Sequence, residues 1–373
     1  MTQRSTDRSG EAPSDPVEGA SCGTCELKHV ERLLVVGDVQ ANYDPLALLL
    51  ESAGLLAWDG DTPHWAAGAG VLLLLGDLLD GGAQPAEVLW LVITLANAAA
   101  AAGGRVVLLK GNHEHMLLGS LVDAEAPRAR EWFTNGGLET LARLAHARGR
   151  AISASLQSAM FAPTFGPIGP DDPEVEALLA FVRQEYASEL AFIGREARAA
   201  ALVNGSVLAV HAGPNFEAES WAAFAPNAEA DIRIAWRRDW LEGWSASHDN
   251  RELEARMRAL KASLDDAGLG IALEHVVFGH TPLRDLEIRA FGGRQCRVGR
   301  IVAPAQDLPA VYDVLTLPRG VPRGGAIGGL EFGPQGIVAI YSDTIDDGVQ
   351  RWPAREVVDS TPWRRDRDRT LAL

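Results

Sequence analysis

An α/β fold built on a mostly parallel sheet is what this sequence predicts, and three observations carry the prediction. Short apolar runs of strand length alternate with longer stretches of helical spacing. The runs end at polar residues, most of them introduced by glycine. The composition, 47% hydrophobic and 23% charged over 373 residues, is globular and leaves room for one large domain with insertions.

Residues 1–31 are rich in Ser, Thr, Gly, Pro and acidic side chains, show no apolar period, and read as a disordered tail. Within it Cys22-Gly-Thr-Cys25 has no second CxxC or CxxH behind it, so it reads as two thiols on a solvated segment. Order is expected from Arg32-Leu-Leu-Val-Val36, a buried strand. A helix follows over Tyr43–Gly54, with Leu46, Leu49 and Leu50 on one side. Val71–Leu75 is the next strand, and Pro85–Ala102, Ala- and Leu-rich with proline at a plausible first turn, the next helix. Arg105–Leu109 is a third strand. Residues 115–200 read as mainly helical, an insertion or cap broken by the Pro/Gly-rich stretch 163–173. Val203–Val210 and Leu273–Phe278 are short strands, and Val311–Leu317 and Ile337–Tyr341 suggest an antiparallel second half. The core domain is thus expected over 32–345, with 346–373 a tail that docks, if at all, by Trp352 and Trp363.

The balance of 34 Lys+Arg against 50 Asp+Glu gives a formal charge of −16. That speaks against a protein that coats nucleic acid, which needs a basic face. It leaves open a small phosphorylated ligand, since bound metal can invert the local field. The longest apolar runs are too short to span a bilayer, and the start lacks the layout of a signal peptide. Three cysteines build no disulfide framework, which fits a reducing cytoplasm.

The chemistry sits where the strands end. In order come Gly37-Asp38-Val-Gln40, Gly76-Asp77-Leu-Leu-Asp80, Gly111-Asn112-His113-Glu114, His211-Ala-Gly213 and Gly279-His280-Thr281. Loops at the carboxyl ends of strands in open α/β sheets converge on one crevice, and glycine lets the backbone approach a ligand closely. Two Asp, an Asn, a Gln and two or three His make a set of hard oxygens and imidazoles. Such a set suits Mn, Fe or Zn better than Ca. Two metals need a shared anionic ligand, which a central carboxylate such as Asp77 can supply, and they activate water and neutralise phosphoryl oxygens. Gly-Asp after a strand is common turn chemistry. Gly-Asn-His-Glu is expected by chance on the order of once in a thousand chains of this length.

These five blocks resemble the calcineurin-like metallophosphoesterase superfamily. The single His of Gly279-His280-Thr-Pro282, and Trp132-Phe-Thr-Asn-Gly-Gly137 followed by Glu139-Thr-Leu141, are similar to bacterial phosphoprotein-phosphatase-like and symmetrical diadenosine tetraphosphatase-like members. Trp236-Arg237-Arg238 resembles the Trp-x-Arg that precedes the last His block there. The resemblance covers roughly residues 32–285 and implies a four-layer αββα sandwich holding two divalent metal ions, manganese first, with iron or zinc as alternatives. It implies that Asp38, Gln40 and Asp77 hold one metal, and Asp77, Asn112, His211 and His280 the other. His113 would protonate the leaving oxygen, Asp80 would orient His113, and Arg238 with Arg237 would grip the phosphate by planar forks.

Two departures from the family pattern bear on function. Position 40 is Gln where the pattern has His, a weaker neutral ligand that leans the first site toward Mn or Mg; manganese-dependent ADP-ribose/CDP-alcohol diphosphatases also carry Gln there. Asp80 is followed by Gly81-Gly82 where eukaryotic-type protein phosphatases carry Arg-Gly, so one phosphate-binding cation is missing. The expectation is a phosphoesterase acting on phosphomonoesters, with phosphoserine or phosphothreonine on protein as one substrate class. A nucleotide pyrophosphohydrolase for dinucleoside polyphosphates or ADP-ribose-like diphosphates is the first alternative. A catalytically weak, metal-poor binding or regulatory protein is the second. Trp236, Trp240 and Trp244, at i, i+4 and i+8, read as a packing stripe rather than a base-stacking platform.

Overall fold

The computed structural model describes residues 23–122, 126–160, 169–213, 250–266, 272–280, 298–302, 310–314, 326–344, 350–360 and 363. In chain order the first half runs β1 (Thr24–Leu27), β2 (Leu33–Val36), α1 (Tyr43–Ser52), β3 (Leu56–Asp59), β4 (Thr62–Trp65), β5 (Val71–Leu74), α2 (Pro85–Ala101) and β6 (Arg105–Leu109). Helices α3 (Asn112–Leu121), α4 (Ala126–Thr134), α5 (Gly137–Ala147), α6 (Ala154–Met160), α7 (Pro173–Glu185) and α8 (Ala187–Glu196) follow. Then come β7 (Ala197–Arg198), β8 (Ala200–Val203), β9 (Val207–Val210), α9 (Asn250–Asp266) and β10 (His275–Phe278). The chain continues as β11 (Val298–Val302), β12 (Ala310–Val314), β13 (Ala326–Gly333), β14 (Gly336–Thr344) and β15 (Gln350–Asp359).

Two sheets result, ordered β15-β14-β13-β2-β5-β6-β7 and β1-β8-β9-β10-β12-β11, with β3-β4 a separate hairpin. Strands β2, β5 and β6 pair in parallel, Leu33 beside Val71 and Val71 beside Arg105, because each crossover spends a helix, α1 or α2, before returning. Side chains alternate along these strands. Leu34, Val36, Leu72, Leu74 and Leu108 pack with Leu46 and Leu49 of α1 and Val88 and Leu91 of α2. Leu33, Val35, Leu73, Val107 and Leu109 instead join Val203, Ala209, Val277 and Tyr312 of the second sheet. Both faces are therefore buried, which explains why the strands read as unbroken apolar runs rather than alternating ones. Burial of each such Leu or Val contributes roughly 1.5–3 kcal/mol. The expected layering of facing sheets with helices outside is observed on the seven-stranded side.

Order begins earlier than the predicted Arg32. Thr24–Leu27 pairs in parallel with β8, Thr24 beside Ala200, although a Thr-Cys-Glu-Leu edge strand carries no apolar signal of its own. At the other end, Gln350–Asp359 pairs antiparallel with β14 rather than forming a tail from 346. Its Pro353 and its charged residues suit an edge. Trp363 is buried against Phe332, ring centroids 5.7 Å apart, and its backbone N–H donates to Gly333 O at 3.1 Å. The stretch Val203–Val210, read as one strand, is a hairpin. Its three-residue loop Asn204-Gly205-Ser206 turns on Asn204 and Gly205, at φ +52° and +63°, with Ser206 N–H donating to Val203 O at 3.0 Å. The second half is antiparallel as expected where β13 lies between β14 and β2, but β12, expected to share that pattern, is antiparallel to β11 and parallel to β10.

The carboxyl ends of β2, β5 and β6 meet those of β9 and β10 at one edge of the sandwich. The loop after β2 is sewn to the loop after β5: Val39 and Gln40 N–H donate to Asp77 O at 3.1 and 2.8 Å, and Ala41 N–H to Leu78 O at 2.7 Å. Gly279 N–H donates to His211 O at 2.8 Å, joining the loops after β10 and β9. Gly76, at φ +112°, is the hinge of this crossing, since a Cβ there would lie 2.6 Å from Gly111 N. Gly149 also has positive φ, +80°, but open space around it. Gly149→Ala should cost about 1 kcal/mol in urea unfolding, the price of a left-handed alanine. Gly76→Ala should cost at least ~3 kcal/mol, because backbone cannot move aside. Equal losses would contradict the crossing described.

Candidate functional site

Three groups converge at that edge: Asp77 after β5, His211 after β9 and His280 after β10, all buried, with one ligand-capable atom from each within 4.8 Å of the others. His211 Nδ1 lies 2.8 Å from Leu75 O. A carbonyl only accepts, so Nδ1 carries the hydrogen and Nε2 presents its lone pair. That Nε2 faces His280 Nδ1 at 3.2 Å, Asn112 Oδ1 at 3.2 Å and Asp77 Oδ1 at 3.4 Å. Three acceptors crowded together with a ring nitrogen that carries either a hydrogen or a lone pair are stabilised by positive charge or a donor among them. Adjacent ligands on an octahedral ion with bonds of about 2.1 Å sit about 3.0 Å apart, so the observed separations fit a cation. Two alternative donors lie in the described set: a hydrogen on His280 Nδ1, 3.2 Å from His211 Nε2, and the Asn112 amide, whose NH₂, turned over, would reach Asp77 and His280 at 3.0–3.2 Å.

Asp77 is 1% exposed. Burial opposes its ionisation, yet His211, His113 and His280 beside it, with the His113 N–H, hold its carboxyl below the usual range. Its Oδ1 accepts from His113 N–H at 3.0 Å. Asp38 shares this floor, 4% exposed, with Oδ1 accepting from His280 N–H at 3.1 Å. The fit is close: a Cβ on Gly279 would lie 2.8 Å from that oxygen. Gln40 reaches the site by its backbone, while its Oε1 lies against Gly81, 3.3 Å from where a Cβ would stand. Gly82 has no room for any side chain, its Cβ position lying 2.3 Å from Gln40 O.

His113 stands beside this floor. Its Nδ1 is 2.5 Å from Asp80 Oδ2, and its Nε2 is 3.7 Å from Asp77 Oδ2. One ring nitrogen is thereby anchored and the other turned toward the floor. Asp38, Asp77, Asp80, Asn112, His113, His211 and His280 are thus brought together, with Gln40 at the rim. Arg237, Arg238 and the Trp236/Trp240/Trp244 stripe lie outside the described residues, as does Cys22; Cys25 sits in β1, away from the strand ends.

Glu114 was not singled out by sequence reasoning, although its place at the third position of α3, behind Gly111, is a capping-box signal that could have found it. It is 1% exposed and accepts from three backbone N–H groups: Asp77 at 2.7 Å, Leu78 at 2.7 Å and Gly111 at 2.9 Å. One carboxylate thus clamps the turn that aims Asp77 to the turn that carries Asn112. Burial, then the charge of Asp77, pushes its carboxyl up to about 7, against the pull of those N–H groups.

A family model described as calcineurin-like phosphoesterase matches residues 31–284. Shewanella-like protein phosphatase 2 of Arabidopsis thaliana is 28% identical over 104 residues, which is 28% of this chain and 26% of that protein. An uncharacterized protein of Schizosaccharomyces pombe is 32% identical over 92 residues, 24% of this chain and 27% of that one. The chain spans about a quarter of the length of these curated relatives. Among solved structures, a cold-active protein-tyrosine phosphatase of a psychrophilic Shewanella species matches at 21% identity and TM-score 0.46, covering 90% of this chain and 82% of that one. A protein serine/threonine phosphatase of Saccharomyces cerevisiae matches at 13% and 0.45, covering 92% and 86%.

The clamp is testable by stability. Glu114→Ala leaves three buried donors without a partner and should cost at least ~3 kcal/mol in urea unfolding. Glu114→Gln, which keeps one carbonyl oxygen, should lose less. An alanine variant as stable as wild type would show that the three bonds are dispensable.

Proposed function

Because this chain belongs to the calcineurin-like phosphoesterase family, we propose that it is a metal-dependent hydrolase of phosphomonoesters. The observation that carries this reading is the convergence of Asp77, His211, His280 and the Asn112 amide oxygen on one buried point. In this reading Asp77, Asn112, His211 and His280 hold one divalent ion, and Asp38, Gln40 and Asp77 a second. Manganese is the first candidate because Gln40 offers an amide oxygen where an imidazole would favour softer metals. Bound there, the ions would supply the positive charge that neutralises a phosphoryl group and acidifies water.

The chain's own residues do the rest. Asp80 fixes the His113 ring, and His113 presents Nε2 over the floor, where a proton can pass to the departing ester oxygen. Arg237 and Arg238 are proposed to hold the phosphate oxygens, the role their planar forks suit. The substrate is a phosphorylated molecule; phosphoserine or phosphothreonine on protein is the first choice, in keeping with the name of the Arabidopsis relative. A reducing, cytoplasmic setting belongs to the same reading. No helix among the described residues is long and apolar enough to cross a membrane.

A second reading, hydrolysis of nucleotide diphosphate links as in diadenosine tetraphosphate or ADP-ribose, is favoured by one feature. Gly81 and Gly82 offer no phosphate-gripping cation, and Gln40 O fills the space where a side chain on Gly82 would go.

Purified protein with added Mn²⁺ should turn over p-nitrophenyl phosphate and phosphoserine peptides, and Asp77→Asn should lower that turnover more than about 100-fold. Faster turnover of diadenosine tetraphosphate or ADP-ribose than of any monoester would favour the second reading. No turnover across the panel would overturn both.

A further inference from the structure

Trp132, in α4, belongs to none of the strand-end loops and has no part in the roles assigned above. It is fully buried, 0% exposed, and its indole N–H is shared between both oxygens of Asp80, at 2.9 Å to Oδ2 and 3.1 Å to Oδ1. Asp80 is itself 1% exposed, and a buried carboxylate must have its lone pairs satisfied by donors. The described side chains that meet it are this indole and the His113 Nδ1 at 2.5 Å. Asp80 also takes φ +71°, a conformation that aspartate adopts only when its surroundings hold it there.

The sequence is shaped to bring the indole in. Gly136 turns the chain at φ +98°, and a Cβ there would stand 3.5 Å from Asp80 Cβ and from Gly81 N. A Cβ on Gly137 would lie 2.3 Å from the Trp132 ring. The Asn135-Gly136-Gly137 turn therefore exists in this form because indole, turn and Asp80 loop share one small space. Loss of the N–H would leave Asp80 with one side-chain donor among the described residues, His113, and free it to rotate about its Cα–Cβ bond and take the His113 ring with it.

We propose that Trp132 is a positioning residue for proton delivery: it holds Asp80 so that His113 keeps Nε2 aimed at the leaving oxygen. This rests on the phosphoesterase reading. In the step concerned, a water oxygen bonds to phosphorus and the ester P–O bond breaks with its electron pair on the leaving oxygen. His113 gives that oxygen a proton, and the proton shed by the water restores the balance. A p-nitrophenolate leaves without help, whereas a serine or glycerol alkoxide needs the proton. Faults in proton delivery therefore show on alkyl phosphates and spare the nitrophenyl ester, a pattern that general loss of structure does not produce.

Trp132→Phe keeps the ring and deletes the donor. With Mn²⁺ present, kcat on β-glycerophosphate or a phosphoserine peptide should fall on the order of 10-fold or more, with KM little changed. On p-nitrophenyl phosphate kcat should fall less than about 3-fold. His113→Asn should show the same split more strongly, and adding Trp132→Phe to it should cost nothing further. Equal losses on both substrate types, or additive losses in the double variant, would overturn the proposal. If wild type hydrolyses neither substrate, the phosphoesterase reading fails first and this role falls with it. The contact has its own test in metal-free protein: the Trp132 indole ¹⁵N–¹H signal, assigned by its loss in Trp132→Phe, should shift in Asp80→Asn. An unmoved signal would remove the contact on which the proposal stands.

Discussion

A buried carboxylate stays charged only if positive charge or hydrogen-bond donors reach it, and Asp77 is such a carboxylate. Its neighbours are histidines that follow three separate strands, His113 at the start of α3 behind β6, His211 after β9 and His280 after β10. No single sheet could supply them. The two sheets must therefore end at the same edge and in register, and His211 Nδ1 on Leu75 O and His280 N–H on Asp38 Oδ1 are the bonds that cross between them there. Packing between the sheets and capture of Asp77 are in this sense one constraint: the apolar cluster of Leu33, Leu73, Ala209 and Val277 sets the spacing that the acceptors need.

The same edge carries unusual backbone. Gln40, Ala41, Asp77, Asp80 and His280 all have φ between +47° and +71°, a region that costs non-glycine residues of order 1–3 kcal/mol each. Their clustering identifies where the fold spends stability on geometry. The Glu114 clamp and the Trp132 indole are two of the devices that hold that geometry, one fixing the Asp77 turn and the other fixing Asp80. Neither belongs to the set proposed to meet metal or substrate, and each is bonded to a residue of the proposed site.

Much of this was legible in the chain. The βαβ units declared themselves because strands buried on both faces must be apolar throughout, and the polar residues of the site announced themselves by sitting directly after them. What escaped notice did so for physical reasons. The strand Thr24–Leu27 is an edge stabilised by its partner β8 and not by its own composition, and β15 is a charged edge with proline. Asn204-Gly205 is a strong turn signal hidden inside a continuous apolar run. Glu114 and Trp132 were visible as parts of motifs, but their partners, three backbone N–H groups and a carboxylate 52 positions away, are set only by the folded chain. Arg237 and Arg238, lying outside the described residues, rest on resemblance alone.

The proposed function requires that these groups surround metal rather than being satisfied by the Asn112 amide or a hydrogen on His280 Nδ1. The most direct measurement is the metal content of the chain after equilibration with Mn²⁺ and removal of free ion, for wild type and for Asp77→Asn. Two equivalents per wild-type chain are expected, as a shared central carboxylate implies, with less than one retained by the variant. A wild-type chain that binds none, or an Asp77→Asn variant that binds as much as wild type, would contradict it.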